Sequence, residues 1–247
     1  MTELLAPAKL TWYLEVLGAR ADGYHLLRSE MLSLGLADRL EIDETQDYLR
    51  VRGSDAVPVD DSNLVRRALA LVRRTAGVTL DKRIPTGGGL GGGSSDAGAI
   101  LRWAGGVSAA AAVRLGGDVP FCQVGGRALV EGIGELVTPL AYEERAVTLL
   151  LADFEVSTAQ VYGAYDELVV DGWRPRGRNH LEEPARRVQP RLATLLDWAR
   201  AQFGEVHLAG SGSTTFIEGH QFAETTGEVT CPVGTLKWYQ TATTPAP

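Results

Sequence analysis

The chain opens on short, partly alternating runs of apolar, β-branched and aromatic residues. Leu10–Leu17 and Arg39–Asp43 read as strands, separated by the turn-rich stretch Gly18–Gly23. The period then changes from two to nearly four. Leu64, Val65, Ala68, Leu69 and Val72 form a stripe at helical spacing, with Asp61 and Ser62 offering an N-cap and Gly77 an end. Gly77–Ile84 is patterned as a short strand, a glycine-dense loop follows, and Ser94 and Ser95 can cap a helix reaching about Trp103. Ser108–Leu115 predicts a second short helix. Gly116–Pro120 breaks the pattern, so Asp118 is expected on a loop, and Arg127–Glu131 resumes as a strand.

Pro139 and the charged run Glu143–Arg145 interrupt the apolar pattern and put a division near residue 142: an α/β domain over residues 1–142 and a second over 143–247. In the second half Ala146–Ala152 is an apolar run typical of a buried strand, and Thr158–Val169 and Pro190–Phe203 have helical spacing. Glu205–Leu208 and Thr214–Ile217 are patterned as strands flanking Gly210–Ser213, and Thr235–Thr241 as a last one. The Pro/Thr-rich tail after Thr241 is expected to be too short to matter. The fold class is therefore mixed α/β.

Composition narrows the functions. A 247-residue chain that is 45% hydrophobic can bury a core. Its net charge is −7 and its 24 basic residues are scattered, so its field repels a polyanion and argues against polymeric nucleic acid as a partner. Anionic ligands would have to be met locally, by backbone amides and a few side chains. Lysine is scarce, at positions 9, 82 and 237 only. The two cysteines, Cys122 and Cys231, have neither disulfide-framework nor zinc spacing. No apolar run approaches the roughly 20 residues of a membrane span, and the start lacks a signal-peptide pattern, so a soluble, cytoplasmic protein is expected.

The informative segment is Pro85, Thr86, Gly87, Gly88, Gly89, Leu90, Gly91, Gly92, Gly93, Ser94, Ser95: six glycines in eleven residues, set before a helix. Glycine loses more backbone entropy on ordering than any other residue, so this density is worth its cost only where backbone approaches something closely or takes positive φ. A helix N-terminus adds unpaired amides and about half a positive charge. A di- or triphosphate fits such a site. Gly87-x-Gly89-x-x-Gly92 also matches the dinucleotide fingerprint, but the acidic residue expected about 20 positions later is missing. No GK[ST] follows, which excludes the P-loop.

With Asp96, this segment resembles the central motif of the galactokinase, homoserine, mevalonate and phosphomevalonate kinase superfamily. Pro7-Ala-Lys-Leu10, Arg20-Ala-Asp-Gly-Tyr-His25 and Leu115-Gly-Gly-Asp-Val-Pro120 resemble signatures of the 4-diphosphocytidyl-2-C-methyl-D-erythritol kinase family, and Leu208-Ala-Gly-Ser-Gly-Ser213 its C-terminal glycine motif. The resemblance implies two α/β domains with the active site in the cleft between them, ATP and Mg2+, and a cytidine-diphosphate sugar alcohol as substrate. It makes Lys9 and Asp118 the catalytic pair, with Asp118 as base. It assigns Tyr24 to stacking on the cytosine, His25 to its edge and Tyr162 to its other face. No Mg2+ ligand follows from it, Ser95 being the one candidate. Oligomeric state stays open between monomer and homodimer.

Two departures stand out. The family usually has asparagine two residues after the lysine, where this chain has Thr11, which offers a hydroxyl in place of a paired donor and acceptor at the substrate. The chain also looks compact between Val57 and Gly77. Rival readings are a same-superfamily kinase for another small alcohol, a nucleotide-binding relative without catalysis, and a dinucleotide oxidoreductase.

Overall fold

The computed structural model describes residues 1–247. Its first half runs β1 (Thr2–Ala19), β2 (His25–Asp43), β3 (Tyr48–Arg52), α1 (Leu64–Leu71), β4 (Gly77–Asp81), α2 (Gly92–Trp103), α3 (Ala109–Ala112), α4 (Val119–Val124), β5 (Arg127–Gly132) and β6 (Leu136–Pro139). The second half runs β7 (Ala146–Leu151), α5 (Thr158–Val170), α6 (Glu182–Val188), α7 (Pro190–Phe203), β8 (His207–Leu208), β9 (Thr215–Glu218), β10 (Thr226–Cys231) and β11 (Gly234–Ala242). No helix is long and apolar enough to cross a membrane.

The first six strands make one sheet, in the order β3-β4-β2-β5-β6 with β1 on β2, and the last five make another, β10-β11-β7-β9-β8. β3 and β4 are parallel because the intervening segment, with α1, crosses over; the other ladders of both sheets are antiparallel. The long β1–β2 hairpin is the spine. Its register shifts between Pro7 and Lys9, between Thr11 and Tyr13, and between Val16 and Gly18. Bulges re-aim side chains, and here they lift the strict alternation, so that Ala8, Lys9, Leu10 and Thr11 are all buried.

Three of the four apolar clusters follow this layout. Leu40, Val78 and Leu80 pack against Val65, Ala68 and Ile100 of α1 and α2. Leu150 and Trp238 pack under Val161, Leu192 and Leu196 of α5 and α7, and β1 contributes Leu14 and Val16 to the same cluster. Between the sheets lies a third, with Leu10, Leu34 and Leu90 from the first half and Val147, Ala209 and Phe216 from the second. Both glycine-containing loops therefore rest on shared apolar ground.

Several sequence expectations change. Asn63 caps α1, accepting the Val65 amide at 2.8 Å, while the Ser62 hydroxyl is spent on Asp60 at 2.5 Å. The same helix ends at Leu71, before Gly77. α2 begins at Gly92, with Gly91 in the left-handed region as its N-cap, so Ser94 and Ser95 lie inside the helix and cap nothing. Asp118 stands at the start of α4, not on a free loop. The tail does carry weight: Thr244 donates its amide to Ser33 at 2.9 Å, Thr243 bridges to Leu34, and Ala246 and Pro247 fill the space beside Gly125 and Gly126.

Candidate active site

The stretch Pro85–Gly91 connects β4 to α2 and lies across the Leu208–Ser213 loop of the second half. Gly89 has φ +78°, and a Cβ on it would meet the carbonyl oxygens of Gly212 at 2.8 Å and Ala209 at 2.9 Å. A side chain there would separate the two loops, which is the physical reason for a glycine. Thr214 donates its amide to Gly88 O at 3.2 Å and reinforces the contact. The first helical hydrogen bond of α2 runs from Ser95 N–H to Gly91 O at 2.8 Å, so the amides of Gly92, Gly93 and Ser94 precede the ladder. They open on a cavity of about 410 Å³ walled by Pro58, Asn63, Leu64 and the loop itself.

At the end of this loop sits an ion pair. Lys9 is 5% exposed. Its Nζ stands 3.2 Å from Asp118 Oδ2 and donates to Thr11 Oγ1 at 3.0 Å, while its backbone amide donates to Leu90 O at 2.9 Å. A Cβ on Gly91 would reach 2.7 Å from Lys9 Cγ and 3.5 Å from Asp118 Oδ2, so the pair lies against the last loop glycine before α2. Thr11 thus serves Lys9, and its hydroxyl also faces Gly210.

On the other side of Asp118 a cavity of about 840 Å³ is lined by Tyr24, His25, Ser94, Tyr162 and Asp166. Ser94 lines both cavities, which places their junction beside the ion pair. Burial, with the charge of Asp118 adding to it, holds the Tyr162 phenol proton well above its usual value. The imidazole of His25 lies on the Tyr162 ring, centroids 4.7 Å apart at 25°, and its Nε2 is 2.7 Å from Asp166 Oδ1. Tyr24 is 62% exposed on the hairpin turn. The sandwich expected from sequence is therefore not preformed: the face of Tyr162 is covered by His25, held there by a carboxylate one helical turn beyond Tyr162.

Ser95 leaves the set of phosphate ligands. Its amide is used in the first helical bond and its buried hydroxyl lies 3.5 Å from Cys122 Sγ. Residues that sequence reasoning passed over take part instead. Asn179 donates to Leu208 O at 2.9 Å and Gly210 O at 2.7 Å and fixes the second glycine loop from below. Lys82 lies under the first: its Nζ bonds Asp38 and, at 2.9 Å, Asp96, and would be 3.0 Å from a Cβ on Gly92. Asp38 also accepts the amides of Arg83 and Ile84 that lead into the loop. The rarity of lysine was the available signal for Lys82; Asp96 stood at the end of the glycine-loop motif, but nothing local marked Asp38 as its second partner.

Two buried carboxylates around one ammonium leave an excess negative charge. Burial pushes the Asp96 carboxyl up to about 7, with Lys82 opposing the rise and Asp38 adding to it, and Asp96 Oδ1 has no hydrogen-bond partner. A carboxyl that binds its proton more tightly folded than unfolded contributes stability in full below the unfolded pKa of about 4, and loses it as pH climbs through about 7. Asp96→Asn removes this titration. In urea unfolding at pH 5 and pH 8, the variant is expected to gain on the parent by about 2 kcal/mol or more between the two; a pH-independent difference refutes the assignment.

The fold and the glycine-loop site define a small-molecule kinase of the GHMP class, and residues 63–126 match the family model described as GHMP kinases N terminal domain. The chain is 35% identical over 245 residues to the 4-diphosphocytidyl-2-C-methyl-D-erythritol kinase of Nitrosomonas eutropha, covering 88% of each. It is similar to a crystal structure of 4-(cytidine 5'-diphospho)-2C-methyl-D-erythritol kinase at 35% identity and a TM-score of 0.68, over 87% of this chain and 89% of that one. A mevalonate kinase structure shares the fold at 13% identity with a TM-score of 0.58, over 98% of this chain and 99% of that one. The chain belongs to the 4-diphosphocytidyl-2-C-methyl-D-erythritol kinase family. The dinucleotide-oxidoreductase reading falls.

Proposed function

We propose that the chain transfers the γ-phosphoryl group of ATP to the 2-hydroxyl of 4-diphosphocytidyl-2-C-methyl-D-erythritol, a step in the non-mevalonate route to isoprenoid precursors. The observation that carries this reading is the Lys9–Asp118 pair, 3.2 Å apart against Gly91, where an amide-lined and an aromatic-lined cavity meet. Phosphoryl transfer asks a protein mainly for positioning and charge stabilisation. The amides of Gly92, Gly93 and Ser94, with the preceding loop from Pro85, receive the phosphates. Asp118 takes the acceptor's hydroxyl proton, and Lys9 holds that carboxylate in place and faces the charge developing on the transferred group. Thr11 steadies Lys9.

Mg2+ would neutralise charge on the nucleotide's phosphates, and Glu155, whose carboxylate lies where a side chain at Gly87 would lie, is an oxygen donor beside the glycine loop that could help hold it. The reaction sits between a first domain ending near residue 142 and a second beginning there. The test is ADP release with 4-diphosphocytidyl-2-C-methyl-D-erythritol, homoserine or mevalonate as acceptor. Turnover dependent on the cytidylyl alcohol alone is expected; equal turnover with mevalonate, or none, ends the reading.

A further inference from the structure

Asp166 has no part in the chemistry described so far, yet it bonds the imidazole of His25, which lines the aromatic cavity with it. Tyr162 and Asp166 are four residues apart on α5, so they share a face of that helix. His25, the first residue of β2, meets both: its ring lies on Tyr162 at 4.7 Å, its Nε2 bonds Asp166 Oδ1 at 2.7 Å, and Tyr165 presents an edge at 5.9 Å. Stacking fixes the plane of the imidazole and the carboxylate fixes its rotation within that plane. The side chain of His25 is only 10% exposed, and Nδ1 makes no hydrogen bond within the protein. Arg20 stays on the turn with Asp22, at 2.7 Å, and does not compete for Asp166.

A carboxylate accepts only, so the nitrogen facing it carries hydrogen. A neutral ring then has its lone pair on Nδ1, pointing the acceptor at whatever shares the cavity. If the acceptor alcohol is at Asp118, the other end of a nucleoside-diphosphate alcohol reaches the part of the cavity lined by Tyr24, His25 and Tyr162. Cytosine and uracil differ on that edge at two positions: cytosine has a 4-amino donor beside an N3 acceptor, uracil a 4-oxo acceptor beside an N3–H donor. An acceptor fixed opposite position 4 pairs with the cytosine amino group and faces the uracil oxygen lone pair to lone pair.

We propose that Asp166 is a specificity-determining positioning residue: by holding His25 with Nε2–H toward itself, it makes Nδ1 the acceptor that selects a cytosine over a uracil nucleotide. This rests on the proposed function, which supplies the nucleotide and its direction. A merely structural carboxylate would affect the two bases alike, so the informative quantity is their ratio.

The experiment is titration calorimetry of CDP and UDP against the parent, Asp166→Ala and Asp166→Glu, alongside kcat with the cytidylyl alcohol and 15N spectra of the His25 ring. The parent is expected to prefer CDP. Asp166→Ala should lose about tenfold in CDP affinity with UDP unchanged, keep kcat at saturation within about twofold, and shift ring hydrogen from Nε2 toward Nδ1; Asp166→Glu should restore most of the preference. An unchanged CDP/UDP ratio in Asp166→Ala, with the parent still binding CDP, overturns the role of Asp166 alone. A parent that binds neither diphosphate overturns it together with the placement of the nucleotide.

Discussion

Asp118→Ala is expected to lower kcat by about 10²–10⁴-fold, the range that a positioned general base supplies, while KM for ATP and for the alcohol changes only a few fold. The carboxylate faces the cavity junction and its side chain is 31% exposed, so its loss opens no large apolar void. Its only ion-pair partner is Lys9, whose ammonium keeps the Thr11 hydroxyl as a partner. The variant should therefore fold. Asp118→Asn keeps the shape and removes the base, and should fall as far as the alanine variant. Steady-state kinetics with ADP detection checks both. Retention of activity within tenfold in either would mean that the acceptor proton leaves by another route and that the pair serves binding only.

Lys82→Met should cost the fold what Asp118→Ala costs the rate. Lys82, Asp38 and Asp96 are all nearly or wholly buried, and removing one partner of such a cluster leaves charge uncompensated in a dry site, typically at about 3–5 kcal/mol. For a chain of this size that corresponds to a fall in Tm of about 10 °C. Because Asp38 also holds the Arg83 and Ile84 amides, the damage should spread to the entry of the glycine loop and weaken ATP binding before global melting. Thermal unfolding followed by circular dichroism, with ATP titration below the transition, measures both. A Tm within about 2 °C of the parent would show that solvent reaches the cluster.

What could be read from sequence was what is local in sequence. The glycine loop and the α5 and α7 helices announce themselves by spacing and residue type, Lys9 and Asp118 only through the motifs around them, and the Pro190–Phe203 helix has the expected bounds. Asp38 lies in a strand 44 positions before Lys82, so their pairing exists only once β2 meets β4. β3, β6 and β10 are short or edge strands whose apolar alternation is broken by charged residues or proline, and α6 is a two-turn helix opening on Glu182, Glu183 and Pro184. Side-chain direction was the other limit. Ser95 and Ser94 are adjacent in the motif, and only the helix phase decides that one faces Cys122 and the other the cavities.

The first strand gives the two halves a common fate. Ala6 belongs to the cluster beneath α1 and α2, Ala8 and Leu10 to the one between the sheets, and Leu14 and Val16 to the one beneath α5 and α7. Leu14 also exchanges backbone bonds with the segment around Asn179, its amide to Arg178 O at 3.0 Å and its carbonyl from His180 N–H at 2.9 Å. Peeling β1 away would open all three clusters at once, so neither sheet has a complete interior without it. The protein is therefore expected to melt in a single cooperative step, and two fragments cut near residue 142 to need each other before either regains its shape.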